Sequence, residues 1–186
     1  FPSLYGSQDH LTNTFRKCFE IDDTTNHFLN SFNEEKYIDL LKEVIVGSHQ
    51  PHEVAIMDVD ALNQKTAVDF LVTQKMLGIK ILALEDITKT GKQLFYEENG
   101  QKVQLKRIYN RLIFDEVADN TEIFKNSFDP REALDVEWVT HPNWFYRISK
   151  YTMPFLKSEF VPETRFLNDL AQIPSDLENY VLKPLF

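Results

Sequence analysis

Apolar residues change their spacing along this chain, and each change marks an element. Tyr37, Leu40, Leu41, Val44 and Ile45 recur at helical spacing. Ser31 to Glu34 ahead of them has the form of a capping box, and Gly47 behind them is a helix-closing residue. Glu53-Val-Ala-Ile-Met-Asp-Val59 is instead apolar at consecutive positions, as in a parallel strand covered on both faces. A second helical pattern carries Val68, Leu71, Val72 and Met76 and stops at Gly78, and Ile79-Lys-Ile-Leu-Ala-Leu84 follows as a strand. Strand, helix and strand in that order make a βαβ unit, so the expected class is α/β with a Rossmann-like parallel sheet.

The next segment alternates differently. Leu94-Phe-Tyr96 and Val103-Gln-Leu105 flank Asn99-Gly100, the dipeptide of a type I′ turn, which predicts an appended β-hairpin. Arg107 to Val117 then begins as a strand and turns helical, and residues 118–135 form a charged connection. Past that point the texture shifts. All five glycines lie in the first hundred residues, whereas six of the eight prolines lie beyond them. Pro142, Pro154, Pro162 and Pro174 cut residues 140–178 into short helical pieces beside Trp138, Trp144, Phe145 and Tyr146. A boundary near residue 135 is expected, giving units 1–135 and 136–186. The final Asn179-Tyr-Val-Leu-Lys-Pro-Leu-Phe186 has the pattern of an apolar strand that presents Lys183 at its end, held extended by Pro184. The first thirty residues show only weak periodicity around Phe15, Cys18, Phe19 and Phe28.

Composition narrows the class. With 42% hydrophobic residues and 15 Phe among 186, the chain has material for a full core. Its formal net charge of −9 argues against nucleic acid and anionic membranes as main partners. No run approaches the ~18 apolar residues of a membrane span. A cytoplasmic location and, from the aromatic load, a homodimer are compatible expectations. Cys18 is the only cysteine, which removes any internal disulfide and leaves a buried or inert thiol as the expectation. Neither GxGxxG nor GxxxxGK[ST] occurs.

Four places carry candidate chemistry, each with a plainer alternative. Asp58 and Asp60 follow a parallel strand, where carboxylates can hold an amine or hydroxyl; Asp60 or Asn63 can equally cap the next helix. Arg107, Asn110 and Arg111 put two guanidiniums and an amide within five residues, a set that grips a carboxylate or phosphate. An Arg111–Asp115 pair on a helix surface is the alternative. Lys150 lies between aromatic segments, bound to an anion or merely exposed. His49 and His52 in Ser-His-Gln-Pro-His-Glu lack a third metal ligand, which favours a solvated loop.

In order along the chain, the βαβ domain, the hairpin, Arg107-Ile-Tyr-Asn-Arg111, Ser149-Lys150 through Pro154-Phe-Leu-Lys157, Val161-Pro162 and Tyr180-Val-Leu-Lys-Pro184 resemble the start of an ATP-grasp enzyme, closest to the glutathione-synthetase-like members. The resemblance implies a pre-ATP-grasp domain, a short helical segment and the first strand of the ATP-grasp fold. It further implies Lys183 and Lys150 as contacts to ATP, and Arg107, Asn110, Arg111 and Asp58 as substrate contacts. The implied cofactors are ATP and Mg²⁺, and the implied reaction joins a small-molecule carboxylate to an amine or thiol through an acyl phosphate. The family's glycine loop and Mg²⁺ ligands are expected after Phe186, so residues 1–186 by themselves are expected to be inactive. A non-catalytic α/β module that binds a metabolite or a protein partner is the alternative.

Overall fold

Five consecutive buried residues, Val54–Asp58, form β1, an inner strand of a four-stranded parallel sheet. The computed structural model describes residues 5–185 apart from 23, 26, 113–126, 142–143 and 145–147. The chain divides into two compact units, residues 1–142 and 143–186.

In the first unit the helices are α1 (Tyr5–Cys18), α2 (Glu34–Ile45) and α3 (Ala67–Leu77). The strands are β1, β2 (Lys80–Ala83), β3 (Thr88–Thr90), β4 (Gln93–Glu98), β5 (Gln101–Leu105), β6 (Arg107–Asn110) and β7 (Glu137–Val139). The parallel sheet has the order β2-β1-β6-β7, and β3-β4-β5 form a separate antiparallel sheet. Alternation along β1 and β6 sends side chains to two different cores. Val54, Ile56 and Tyr109 pack with Leu41 and Ile45 of α2 and Phe70 and Leu77 of α3. Ala55, Met57 and Ile108 pack with Leu94 and Tyr96 of β4 and Leu105 of β5. Helices therefore cover one face and the antiparallel sheet covers the other, which is why β1 could be apolar without interruption. The crossover from β1 through α3 to β2 and the one from β2 through β3, β4 and β5 to β6 run in opposite directions along the sheet, and a shared right hand puts them on opposite faces.

Local chemistry sets the element ends. Asn33, rather than Ser31, caps α2, its side chain accepting the Lys36 amide at 2.9 Å. Gly78 closes α3 with φ 72°, the left-handed conformation that suits glycine. At the hairpin tip Asn99 (φ 52°) and Gly100 (φ 75°) have the two positive values a type I′ turn needs. Asp60 does not cap α3: it accepts from the Asn63 side chain at 3.0 Å within its own loop, and the cap position is Thr66. Leu40 and Val44, expected on the packed face of α2, are 41% and 48% exposed.

One helix inverts the usual rule. The buried residues of α1 are Gly6 and Asp9, while Leu11 and Phe15 are half exposed. A Cβ on Gly6 would lie 2.5 Å from Thr73 Oγ1 and 3.1 Å from the Thr73 amide, so only glycine lets α1 approach α3 this closely. Cys18 ends the helix as a free, exposed thiol, so of the expected buried or inert thiol the buried alternative does not hold. No helix among the described residues is long and apolar enough to cross a membrane.

The described elements of the second unit include short 3₁₀ helices at Lys150–Phe155, Leu167–Asp169 and Leu177–Asn179. Ser149 caps the first, its hydroxyl accepting the Tyr151 amide at 3.2 Å. Tyr151, Phe155 and Phe166 form a ring cluster with centroids 5.0 to 5.8 Å apart. The strand expected near the end of the chain does not form. Residues 180–185 are irregular, with Val181 79% and Leu182 80% exposed. A strand exists only through a ladder partner, and this unit contains no strand among the described residues.

Tyr96 ties the antiparallel sheet to the turn before β1, donating its hydroxyl to the His52 carbonyl at 2.8 Å. Burial, aided by the Glu98 carboxylate, pushes its phenol up to about 12. The folded protein thus keeps a proton that the unfolded chain releases near pH 10. Tyr96's contribution to stability is complete below pH 10 and is lost as pH rises through about 12. Denaturation midpoints measured from pH 9 to 12 should fall less steeply for Tyr96→Phe than for wild type; equal slopes would refute the assignment.

Candidate functional site at the carboxyl edge of the parallel sheet

The connection from β1 leads through α3 to β2 on one side, while β6 and β7 lie on the other. Strand order therefore reverses between β1 and β6. In open α/β sheets that reversal leaves a crevice outside the carboxyl ends of the strands, where ligands collect. Asp58 ends β1 and Asn110 ends β6, with Asn110 aligned to Met57 across the ladder. Both side chains are buried, at 5% and 7% exposure.

The backbone here is held by side chains. Asp58 Oδ1 accepts the Val59 amide at 2.7 Å. Asn110 Oδ1 accepts the Leu112 amide at 3.2 Å, which turns the chain as it leaves the strand. The Arg111 amide continues the ladder, donating to the Met57 carbonyl at 2.9 Å. Thr140, just past β7, donates its hydroxyl to the Asn110 carbonyl at 2.9 Å. Its φ of 61° is an outlier for a β-branched residue and costs on the order of 1–3 kcal/mol. The bond to Asn110 holds it there.

Arg111 is not open to a ligand. Its Nη1 donates to Asp69 Oδ2 at 2.9 Å, with the two side chains 9% and 1% exposed. The guanidinium lies over the Phe70 and Tyr109 rings, 5.0 and 5.7 Å from their centroids. The other oxygen of Asp69 accepts the Ser7 amide from the first turn of α1 at 3.0 Å. One carboxylate therefore joins β6, α3 and α1. The Tyr109 hydroxyl is buried beside this pair without a hydrogen-bond partner. Burial raises its phenol, while the Arg111 guanidinium pulls the other way.

Arg107 lies at the opposite, amino end of β6. Its Nε and Nη2 donate to the carbonyls of Ile45 and Val44 at 3.0 and 2.8 Å, closing the C-terminus of α2. Its Nη1 pairs with Glu137, which also lies 3.3 Å from His49 Nε2. Asp58 and Asn110 thus share the carboxyl edge of the sheet, Asn110 on the face of Met57 and Asp58 on the face of Ile56, while Arg107 lies at the opposite edge. The alternative partner Asp115 lies outside the described residues, and Asp69, forty-two residues earlier, takes its place. Nothing in sequence spacing signals a pair that distant. Lys150 and Lys183 are both exposed and belong to the second unit.

No known family model matches the chain, and no curated protein matches it.

Deleting one member of the Arg111–Asp69 pair strands the other charge in the interior, at a cost of about 3–5 kcal/mol. Arg111→Leu and Asp69→Leu should each destabilise by that order in chemical denaturation. The double variant should lose clearly less than the sum, because no lone charge remains. Additive losses would show that the pair is not coupled.

Proposed function

We propose that residues 1–142 form the substrate-binding α/β domain of an ATP-dependent carboxylate–amine or carboxylate–thiol ligase. The observation that carries this reading is the reversal of strand order between β1 and β6, flanked by Asp58 and Asn110. A buried carboxylate and a buried amide, one toward each face of this edge, suit a small polar substrate lying across the strand ends, the carboxylate taking an amine or hydroxyl and the amide taking either a donor or an acceptor. Arg111 acts in this reading by positioning: its ion pair fixes the end of β6, and with it Asn110.

The nucleotide half of the reading rests on the sequence resemblance to ATP-grasp enzymes. Lys183 and Lys150 are exposed ammonium groups with no hydrogen bond or ion pair among the described residues, and are assigned to the phosphates of ATP. When bound, ATP supplies the phosphoryl group that activates a carboxylate; fixed positive charge is what the protein contributes to such a transfer. The described residues contain no cluster of three metal-ligating side chains, and the reading assigns none of them to Mg²⁺.

Calorimetry with ATP and Mg²⁺ on the full-length protein tests the reading. Lys183→Met should weaken ATP binding by about tenfold or more, the scale of one charge-assisted contact. Asp58→Asn should leave ATP binding unchanged while impairing turnover. Absence of ATP binding in the full-length wild-type protein would leave only the non-catalytic α/β module.

A further inference from the structure

On the outer side of the helix layer is a cleft of about 1080 Å³, walled by α1, by Ile21, Thr25, His27 and Phe28 after it, by the start of α2 and by the exposed side of α3. Arg16 of α1 donates to the carbonyls of Thr25 and Asp22. Asp9 lies in the wall at 5% exposure. Asn13 Nδ2 donates to its Oδ2 at 3.2 Å, but Oδ1 is buried without a hydrogen-bond partner. His27 Nε2 stands 3.5 Å from that oxygen, within ion-pair range and without hydrogen-bond geometry. The imidazole is held in place by Phe28, 4.0 Å away between centroids, which in turn packs on Tyr37.

Opposite these polar groups the floor is apolar. Val68 and Leu71 of α3 line the cleft although 57% and 50% exposed, and Val72 and Met76 continue the strip half-buried. A desolvated carboxylate oxygen calls for a hydrogen-bond donor, best a cationic one, and exposed aliphatic surface calls for hydrocarbon. We propose that the cleft binds a small amphiphilic amine, its ammonium on Asp9 beside His27 and its apolar body over Val68, Leu71 and Met76. The site stands apart from the ligase reading, being built from the helix layer and not from the sheet edge.

Hexylammonium is the probe, with hexanol and hexanoate as the neutral and anionic comparisons, titrated into the whole protein and followed by calorimetry and ligand-detected NMR. Wild type should bind one hexylammonium at least about tenfold more tightly than either comparison. Asp9→Asn, nearly isosteric, should remove most of that preference, by about tenfold or more. Leu71→Trp changes an exposed position, so the fold is kept while the floor is blocked, and binding should weaken as well. No binding by wild type, hexanoate bound as tightly as hexylammonium, or unchanged affinity in Leu71→Trp would each overturn the proposal. So would unchanged affinity in an Asp9→Asn protein whose melting temperature is retained.

Discussion

The carboxylate of Asp69 is the constraint on which the first unit turns. It sits in the first turn of α3 at 1% exposure, accepts the Ser7 amide of α1 with one oxygen and pairs with Arg111 through the other. A buried charge of this kind is tolerated only when fully satisfied, so its two partners must arrive together. Arg111 reaches it because β6 ends at Asn110 and the chain turns there. Ser7 reaches it because Gly6 lets α1 lie directly on Thr73. The hydrophobic cores on the two faces of the sheet supply the bulk of the stability, each fully buried aliphatic or aromatic side chain contributing about 1.5–3 kcal/mol. They do not say where α1 goes. The polar triad does.

That division explains what could be read from the chain. Consecutive apolar residues in Val54–Asp58 announced a strand covered on both faces, and Asn99-Gly100 announced the hairpin, because both signals are local and physical. The helix at Tyr5–Cys18 was not announced, since its inward side chains are glycine and aspartate and its phenylalanine points outward. Strand β7 escaped because three residues, Glu137–Val139, carry too little alternation to stand out, and only the ladder with Arg107 to Tyr109 makes them a strand. Tyr180, Val181 and Leu182 have strand-forming side chains but no ladder partner among the described residues of their unit, so propensity alone produced no strand.

The basic cluster around residue 107 shows a different limit. Three residues along a β-strand carry a side chain about 10 Å, so Arg107 and Asn110 end up at opposite edges of a four-residue strand. Each arginine then finds a structural anion or a set of carbonyls: Asp69 for Arg111, Glu137 and the end of α2 for Arg107. Asp58 and Asn110 stay at the carboxyl edge, one toward each face of the sheet. Residue identity alone does not separate these positions from Arg107 and Arg111; the pairing of strands does.

Amide hydrogen exchange on wild type and Asp69→Asn tests the central claim most directly. If the Asp69 carboxylate docks α1, the variant loses protection throughout Tyr5–Cys18, including the Ser7 amide, while β1 and β6 retain theirs. Protection of α1 left at wild-type levels in Asp69→Asn would contradict the account.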